Sequence, residues 1–150
     1  MKIVIQRVAE ASVQTEGQTV ASIGRGLLIL VGVVPADTQA DIELLARKSV
    51  AMRIFDDPDG VMNLSVRDIG GEILAVSQFT LAASIRKGNR PSYVGAAGHD
   101  IALPAYLEFC AALERHLGRE VKRGVFGADM KVSLVNDGPV TIVADSANLV

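Results

Sequence analysis

Two hydroxyls, an amide and an aromatic ring close an apolar run near the centre of the sequence. Ile73-Leu74-Ala75-Val76 is aliphatic and in part β-branched, as a strand covered on both faces should be, and it runs into Ser77-Gln78-Phe79-Thr80-Leu81-Ala82. Residues 84–98 follow as a loop carrying Arg86, Lys87 and Arg90 among Gly88, Asn89, Pro91 and Ser92. A polar strand tip beside concentrated positive charge predicts a site for an anionic substrate. The plainer reading stays open at this point, since Ser and Thr near a strand end also satisfy local backbone groups and a basic loop is often only solvated.

A hydrolase built on Ser77 or Thr80 needs a base to take the hydroxyl proton, and that base must itself be oriented. No histidine is near either residue in sequence. His116 is expected on the solvent side of its helix, which leaves His99 as the candidate partner. Strand alternation adds a difficulty: Ser77 and Phe79 face one way while Gln78 and Thr80 face the other. Both hydroxyls serve one pocket only if the strand bulges or turns at its end.

Other chemistry is sparse. The single Cys110 cannot form an internal disulfide and falls in a helical pattern as a small core residue. With two histidines and no close Cys/His/Asp set, the spacing predicts neither a metal site nor a cofactor. Asp56-Asp57-Pro58-Asp59-Gly60 lacks the alternating ligands and distal Glu of a calcium loop, and reads as a turn. Net charge is −2, so any nucleic acid must be held by local patches: Arg86, Lys87 and Arg90, or Arg115, Arg119, Lys122 and Arg123.

The elements that must position these groups follow in order. Residues 2–13 read as a long strand with Ile3, Ile5, Ala9, Ala11 and Val13 on one face, interrupted by Arg7. That guanidinium either snorkels to water or pins carbonyls or a carboxylate near the site or a subunit contact. A turn at Glu16-Gly17-Gln18 leads into a strand over 19–23, and an all-apolar strand covers 27–33. Asp37 or Thr38 caps a helix running to about Ile54, with Ile42, Leu45, Ala46, Ser49 and Met52 or Arg53 facing inward. A short strand is expected over 61–66. Pro104 suits the first turn of a second helix whose stripe is Tyr106, Phe109, Cys110, Leu113 and Leu117, closed by Gly118. Residues 121–126, 130–135 and 140–144 read as the final strands, with Asn136-Asp137-Gly138-Pro139 as a tight turn.

These 150 residues, 49% apolar and 21% charged, fit a single domain over 1–150 of mixed α/β class. A strongly curved, partly barrel-like sheet packed with two main helices is expected. No apolar run approaches the ~20 residues of a membrane span, and no targeting segment is evident, so a cytoplasmic location is expected.

Four segments resemble one family in order and spacing: Val4-Ile5-Gln6-Arg7-Val8, Ser77-Gln78-Phe79-Thr80-Leu81, Lys87-Gly88-Asn89-Arg90-Pro91-Ser92 and Asn136-Asp137-Gly138-Pro139-Val140-Thr141. Together they are similar to the D-aminoacyl-tRNA deacylases over essentially the full length. Small departures fall at Ala82, where a larger side chain is common, and around residues 98–103. The resemblance implies hydrolysis of the ester between a D-amino acid and the terminal adenosine of tRNA, with no cofactor. It implies a homodimer in which Gly138 and Pro139, joined by a cis peptide, enter the partner's pocket and bind the substrate's amino group through backbone carbonyls. Arg7 would hold that backbone from the side, Ser77, Gln78, Phe79 and Thr80 would form the catalytic segment, and Arg86, Lys87 and Arg90 would meet tRNA. A nucleic-acid-binding module without hydrolysis, or a small-ester hydrolase using Ser77 or Thr80 with His99, are the rival readings.

Overall fold

The computed structural model describes residues 1–149. In chain order they form β1 (Lys2–Thr15), β2 (Gln18–Ile23), β3 (Gly26–Gly32), α1 (Gln39–Ala51), β4 (Phe55–Asp56), β5 (Met62–Leu64), β6 (Glu72–Ser77), α2 (His99–Leu117), β7 (Lys122–Arg123) and β8 (Lys131–Asp145). The main sheet runs β2-β1-β3-β6-β7, with β8 along the other side of β1. Its first three strands pair antiparallel, while β3 with β6 and β6 with β7 are parallel. The sheet curls into a nearly closed, barrel-like form with both helices packed against it, the mixed α/β architecture expected from sequence.

Two apolar cores lie against the sheet. Ile3, Ile5, Leu27, Ile29, Val31, Ile73 and Ala75 face α1 and α2, while Val8, Ala11, Val13, Ala21, Ile23, Leu28, Leu74 and Val76 fill the concave side. The pairing of β1 with β8 slips on either side of Val8, between Gln6 and Glu10. Arg7 and Val8 are consequently both buried and Ala9 and Glu10 both exposed. This corrects the single-face expectation. Ile3 and Ile5 belong to one core, Ala11 and Val13 belong to the other, and Ala9 belongs to neither, because an inserted residue reverses the alternation.

The helices follow their end signals. Thr38 caps α1 in a reciprocal capping box with Asp41, whose carboxyl the Thr38 hydroxyl and amide hold down to about 2. α1 stops at Ala51, short of Ile54, so Val50 joins Ile42, Leu45, Ala46 and Ser49 in the buried stripe. Met52 and Arg53 lie beyond its end, where Arg53 Nε donates to the Asn63 carbonyl at 2.9 Å. The chain then forms the β4–β5 hairpin, closed by an Asp57 carboxylate accepting from the amides of Asp59 and Val61. In α2 the helix begins at His99, so Pro104 sits inside it rather than in its first turn. The predicted stripe is buried and Gly118, at φ 79°, ends the helix in the left-handed region.

Two strand expectations change. Regular pairing over 121–126 is confined to Lys122 and Arg123. The two strands expected around the Gly-Pro segment are one continuous β8, in which Gln6 opposes Thr141 and Val8 opposes Asn136. Residues 137–140 therefore face Arg7 alone, and the surplus chain is pushed out of the ladder as a protruding rib.

Candidate active site

The strand, expected to carry the hydroxyls, ends with the apolar run. β6 stops at Ser77, and Phe79–Ala82 is a 3₁₀ turn. Gly32 allows that turn to pack down on β3, since a Cβ there would lie 2.8 Å from Leu81 Cβ and 3.1 Å from the Gln78 carbonyl. The turn also removes the alternation problem, because Thr80 is no longer on a strand and Gln78 Nε2 reaches its hydroxyl at 2.5 Å. Gln78 N–H donates to Val31 O, and Leu81 N–H and Ala83 N–H donate to the Gln78 and Thr80 carbonyls. Among the described residues the N–H groups of Phe79 and Thr80 have no backbone acceptor, as expected for donors at the start of a helical turn. Two amides next to Ser77 in sequence are thus left without a backbone partner.

Two recesses share Ser77 and Phe79 as a wall. One, about 80 Å³, is apolar and lined by Val31, Val33, Ala102, Tyr106, Phe126 and Gly127. The other, about 240 Å³, is bounded by Gln78, Gly127, Asp129, Met130 and Val132 among others. Tyr106 stiffens the scaffold behind them: its hydroxyl donates to the Ala75 carbonyl at 2.8 Å, and burial pushes the phenol's pKa up. Burial likewise pushes the Cys110 thiol up to about 11, so it stays protonated as a core residue. A larger cavity of about 480 Å³, between β1, β2 and the start of β8, contains none of the predicted site residues.

His99 does not complete a catalytic pair. Its ring packs edge-on against Phe126 at 5.4 Å, and it makes no hydrogen bond to either hydroxyl among the described residues. The partner of Thr80 is an amide, which cannot take a proton whichever way it is turned. His116 is also placed differently from expectation: half-buried, its Nε2 meets Glu43 Oε1 at 2.5 Å and ties α2 to α1.

At the far end of the sheet, Arg7 reaches into the rib. The residue is 7% exposed; its Nε donates to the Asp137 carbonyl at 2.9 Å and its Nη1 to the Ile54 carbonyl at 2.7 Å. The carboxylates of Asp56 and Asp137 lie 3.7 and 3.9 Å away, so the buried charge is compensated. Of the two roles open to Arg7 in the sequence, the structure shows the pinning of carbonyls. The Gly138–Pro139 bond is cis, and Gly138 adopts φ 130°. A Cβ on Gly138 would meet Arg7 Nη2 at 2.8 Å and Val140 Cγ2 at 2.9 Å, so glycine is required twice over. Further braces escaped the sequence reading. Asn136 Nδ2 donates to Gln6 Oε1 at 2.9 Å, Asn136 Oδ1 accepts from Val140 N–H at 3.1 Å, and Thr141 Oγ1 donates to Gln6 Oε1 at 2.6 Å. The signal for them was the polar run Asn136-Asp137 facing Gln6 across a strand pair, visible only once the register is known.

The structure brings Ser77, Gln78, Phe79 and Thr80 together and joins Arg7 to Gly138 and Pro139, but it does not unite the two groups within one chain. Ser77 aligns with Val31 and Ile3, whereas the rib is beside Arg7, four residues along β1 and three strands across. At ~3.3 Å per residue and ~4.8 Å per strand, that is a path of roughly 20 Å along the sheet.

The basic loop leaves the 3₁₀ turn directly. Its base is tied by reciprocal backbone bonds between Ser84 and Ser92, at 2.8 and 2.9 Å, and Arg86, Lys87 and Arg90 are exposed. Arg86 lines an open cleft of about 440 Å³ with Lys2 and residues 82–85. The other basic cluster is largely paired. Arg115 bridges Glu43 and Glu108, Arg119 donates to the carbonyls of Gly70 and Gly71, and Lys122 meets Glu120. No helix among the described residues is long and apolar enough to cross a membrane.

Comparison with known proteins agrees with this geometry. A family profile described as D-Tyr-tRNA(Tyr) deacylase matches residues 4–145. Proteins named D-aminoacyl-tRNA deacylase from Flavobacterium johnsoniae and Porphyromonas gingivalis are 57% and 60% identical over 148 residues, covering 99% of each chain. A solved structure titled c-Myc DNA Unwinding Element Binding Protein superposes with TM-score 0.90 at 41% identity, covering 97% of this chain and 98% of that one. A probable eukaryotic D-amino acid tRNA deacylase shares the fold at TM-score 0.81 and 16% identity, over 95% of this chain and 97% of that one. The chain belongs to the D-Tyr-tRNA(Tyr) deacylase family.

Proposed function

We propose that the protein hydrolyses the ester between a D-amino acid and the terminal adenosine of tRNA, in a site completed by a second copy of the chain. The observation that carries this reading is the pair of separated half-sites. One half is a recess at whose edge neither Ser77 nor Thr80 is hydrogen-bonded to a base among the described residues, and the other is a braced, exposed rib that lies roughly 20 Å away along the sheet. A two-fold partner places each rib in the other's recess, as isologous interfaces allow.

In that arrangement the carbonyls of Gly138 and Pro139 accept from the substrate's ammonium, and the amino acid's Cα lies against main chain. A D residue directs its side chain outward. An L residue directs it into peptide atoms fixed by Arg7 and Asn136, and overlap excludes it. Any D side chain is then accepted, because no protein side chain reads it. Glycine, with no side chain to exclude, enters the same site, which extends the reading to mischarged glycyl-tRNA.

The chemical step needs no side-chain nucleophile. Water attacks the ester carbon, the carbonyl oxygen takes the developing charge against the Phe79 and Thr80 N–H groups, and the acyl–oxygen bond breaks as a proton returns to the ribose oxygen. The neighbouring 2′-hydroxyl of the adenosine assists the attack, with Ser77 and Gln78 orienting it. Arg86, Lys87 and Arg90 hold the phosphates of the acceptor end. The test follows loss of amino acid from tRNA charged with D-tyrosine, L-tyrosine and glycine. Rapid loss of D-tyrosine with L-tyrosine retained is expected, and equal rates for the two enantiomers would contradict the reading. A 2′-deoxy terminal adenosine should stop turnover; a surviving rate would remove the ribose from the mechanism.

One finding favours a second reading. The neighbour titled as a DNA-unwinding-element binding protein bears a name for nucleic-acid binding. A binding module of that kind would hold charged and uncharged tRNA alike and release no amino acid, which the same experiment detects.

A further inference from the structure

Beside the catalytic segment lies a pair of aromatic rings that the reaction as described does not use fully. Phe79 is 57% exposed and Tyr93 41% exposed, and their rings meet at 5.2 Å between centroids and 70° between planes. Large rings left open to water at these fractions are unusual in a chain with only 4% aromatic residues. Two rings at this angle form a corner, and both remain partly open to water. Tyr93 is fixed in place: it immediately follows the Ser84–Ser92 clasp, and its carbonyl accepts from Ala96 N–H at 3.0 Å.

The loop that carries Tyr93 has charge of one sign, and the carboxylate that shares the recess wall with Phe79, Asp129, is paired with Lys131. No Asp or Glu occurs between Glu72 and Asp100, while Arg86, Lys87 and Arg90 all fall in that interval. None of the three forms an ion pair among the described residues. Exposed aromatic faces next to unpaired cations are the combination that holds single-stranded nucleic acid, bases on the rings and phosphates on the charges. A protein partner of the acidic kind would use the cations but has no need of a flat ring.

We infer that Tyr93 is a binding residue for the nucleotide that precedes the terminal adenosine, its ring stacking that base while Arg86, Lys87 and Arg90 take the adjoining phosphates. This deepens the deacylase reading and rests on it. With the terminal adenosine beside Phe79, the chain of the acceptor end must leave the recess past Tyr93 on its way to the basic loop. Stacking there is tolerant of base identity, which suits an enzyme that serves many tRNAs.

The experiment uses the full-length protein and synthetic acceptor-stem helices charged with D-tyrosine, one with a normal penultimate nucleotide and one abasic at that position. The abasic nucleotide keeps its phosphate, so only stacking is removed. For the wild type, KM is expected to rise about tenfold with the abasic helix, the scale of one base–aromatic stack, with kcat little changed. In Tyr93→Ala the two helices should become equivalent, and Tyr93→Phe should restore the wild-type ratio. Wild-type indifference to the missing base, or full discrimination persisting in Tyr93→Ala, overturns the inference. A wild type that releases no D-tyrosine from either helix overturns the deacylase reading instead, and a circular-dichroism melt confirms that both variants are folded before the ratios are compared.

Discussion

The rib around Gly138 and the tip at Ser77 are built in opposite ways. At the rib, four residues protrude against one, and nearly every polar group is tied down: Arg7 holds the Asp137 carbonyl, Asn136 holds the Val140 amide, and Gln6 gathers Asn136 and Thr141. At the tip the one side-chain bond among the described residues is internal, from Gln78 to Thr80, while two amides lack a backbone partner and an aromatic ring is exposed. A surface that must reject one enantiomer by overlap cannot yield by a fraction of an ångström. A surface that receives a nucleotide must leave its donors free until the ligand arrives. On the proposed reading, the difference between the two regions is the difference between a gauge and a receptor, each needing the other.

The largest effect should come from breaking the gauge. Gly138→Ala puts a methyl 2.8 Å from Arg7 Nη2 at a φ of 130°, so the rib must move. A fall of about 100-fold or more in kcat/KM for D-tyrosyl-tRNA is expected, the scale of an ångström's misplacement, and an unchanged rate would show that the rib is not part of the site. Arg7→Lys comes next. A lysine cannot reach two carbonyls with a planar fork, so Asp137 O or Ile54 O loses its donor. A loss of about 2 kcal/mol in a denaturant melt and a rate fall of about tenfold are expected; a neutral variant would mean that Arg7 merely fills space.

Changes at the receptor should be milder. On the proposed mechanism Thr80→Ala removes a hydroxyl that orients rather than attacks, and single-turnover rates should fall by less than about tenfold. Complete loss would instead support a covalent threonine. The smallest effect serves as a control outside both regions. Thr38→Ala should cost about 1 kcal/mol of stability at neutral pH with no change in enantiomer preference. Because Asp41 is held at about 2 in the folded chain against 3.8 ordinarily, its capping contribution is present above the ordinary value and lost as pH falls through about 2. The wild-type advantage over Thr38→Ala in acid melts should therefore shrink below pH ~4.

Much of the receptor was legible in the sequence, because its signals are local. An aliphatic run ending in Ser77-Gln78-Phe79-Thr80, followed by three cations, needs no long-range information. Its 3₁₀ turn was not legible, since Gly32 on another strand is what lets it form. For the gauge the balance was reversed. Arg7 on an apolar face signalled that something needed holding, but the Asn-Asp-Gly-Pro segment taken alone reads as a turn between two strands. Only the slipped register of β1 against β8 makes it a bulge in one strand. The same slip sent Ala9 to solvent, which alternation could not foresee. Pro104 misled for a different reason: its helix began five residues earlier, at a Gly98 cap without a side-chain signal.

Whether gauge and receptor meet across a subunit boundary can be measured by mixing two variants, each disabled in one region: Gly138→Ala with an intact recess, and Ser77→Phe, whose ring fills the recess, with an intact rib. Random exchange between dimers leaves one native pairing in each mixed dimer. D-tyrosyl-tRNA deacylation should therefore return to about a quarter of the wild-type rate from two inactive parents. Activity that stays at the level of the parents after subunits have demonstrably exchanged would show that the two regions do not share a site.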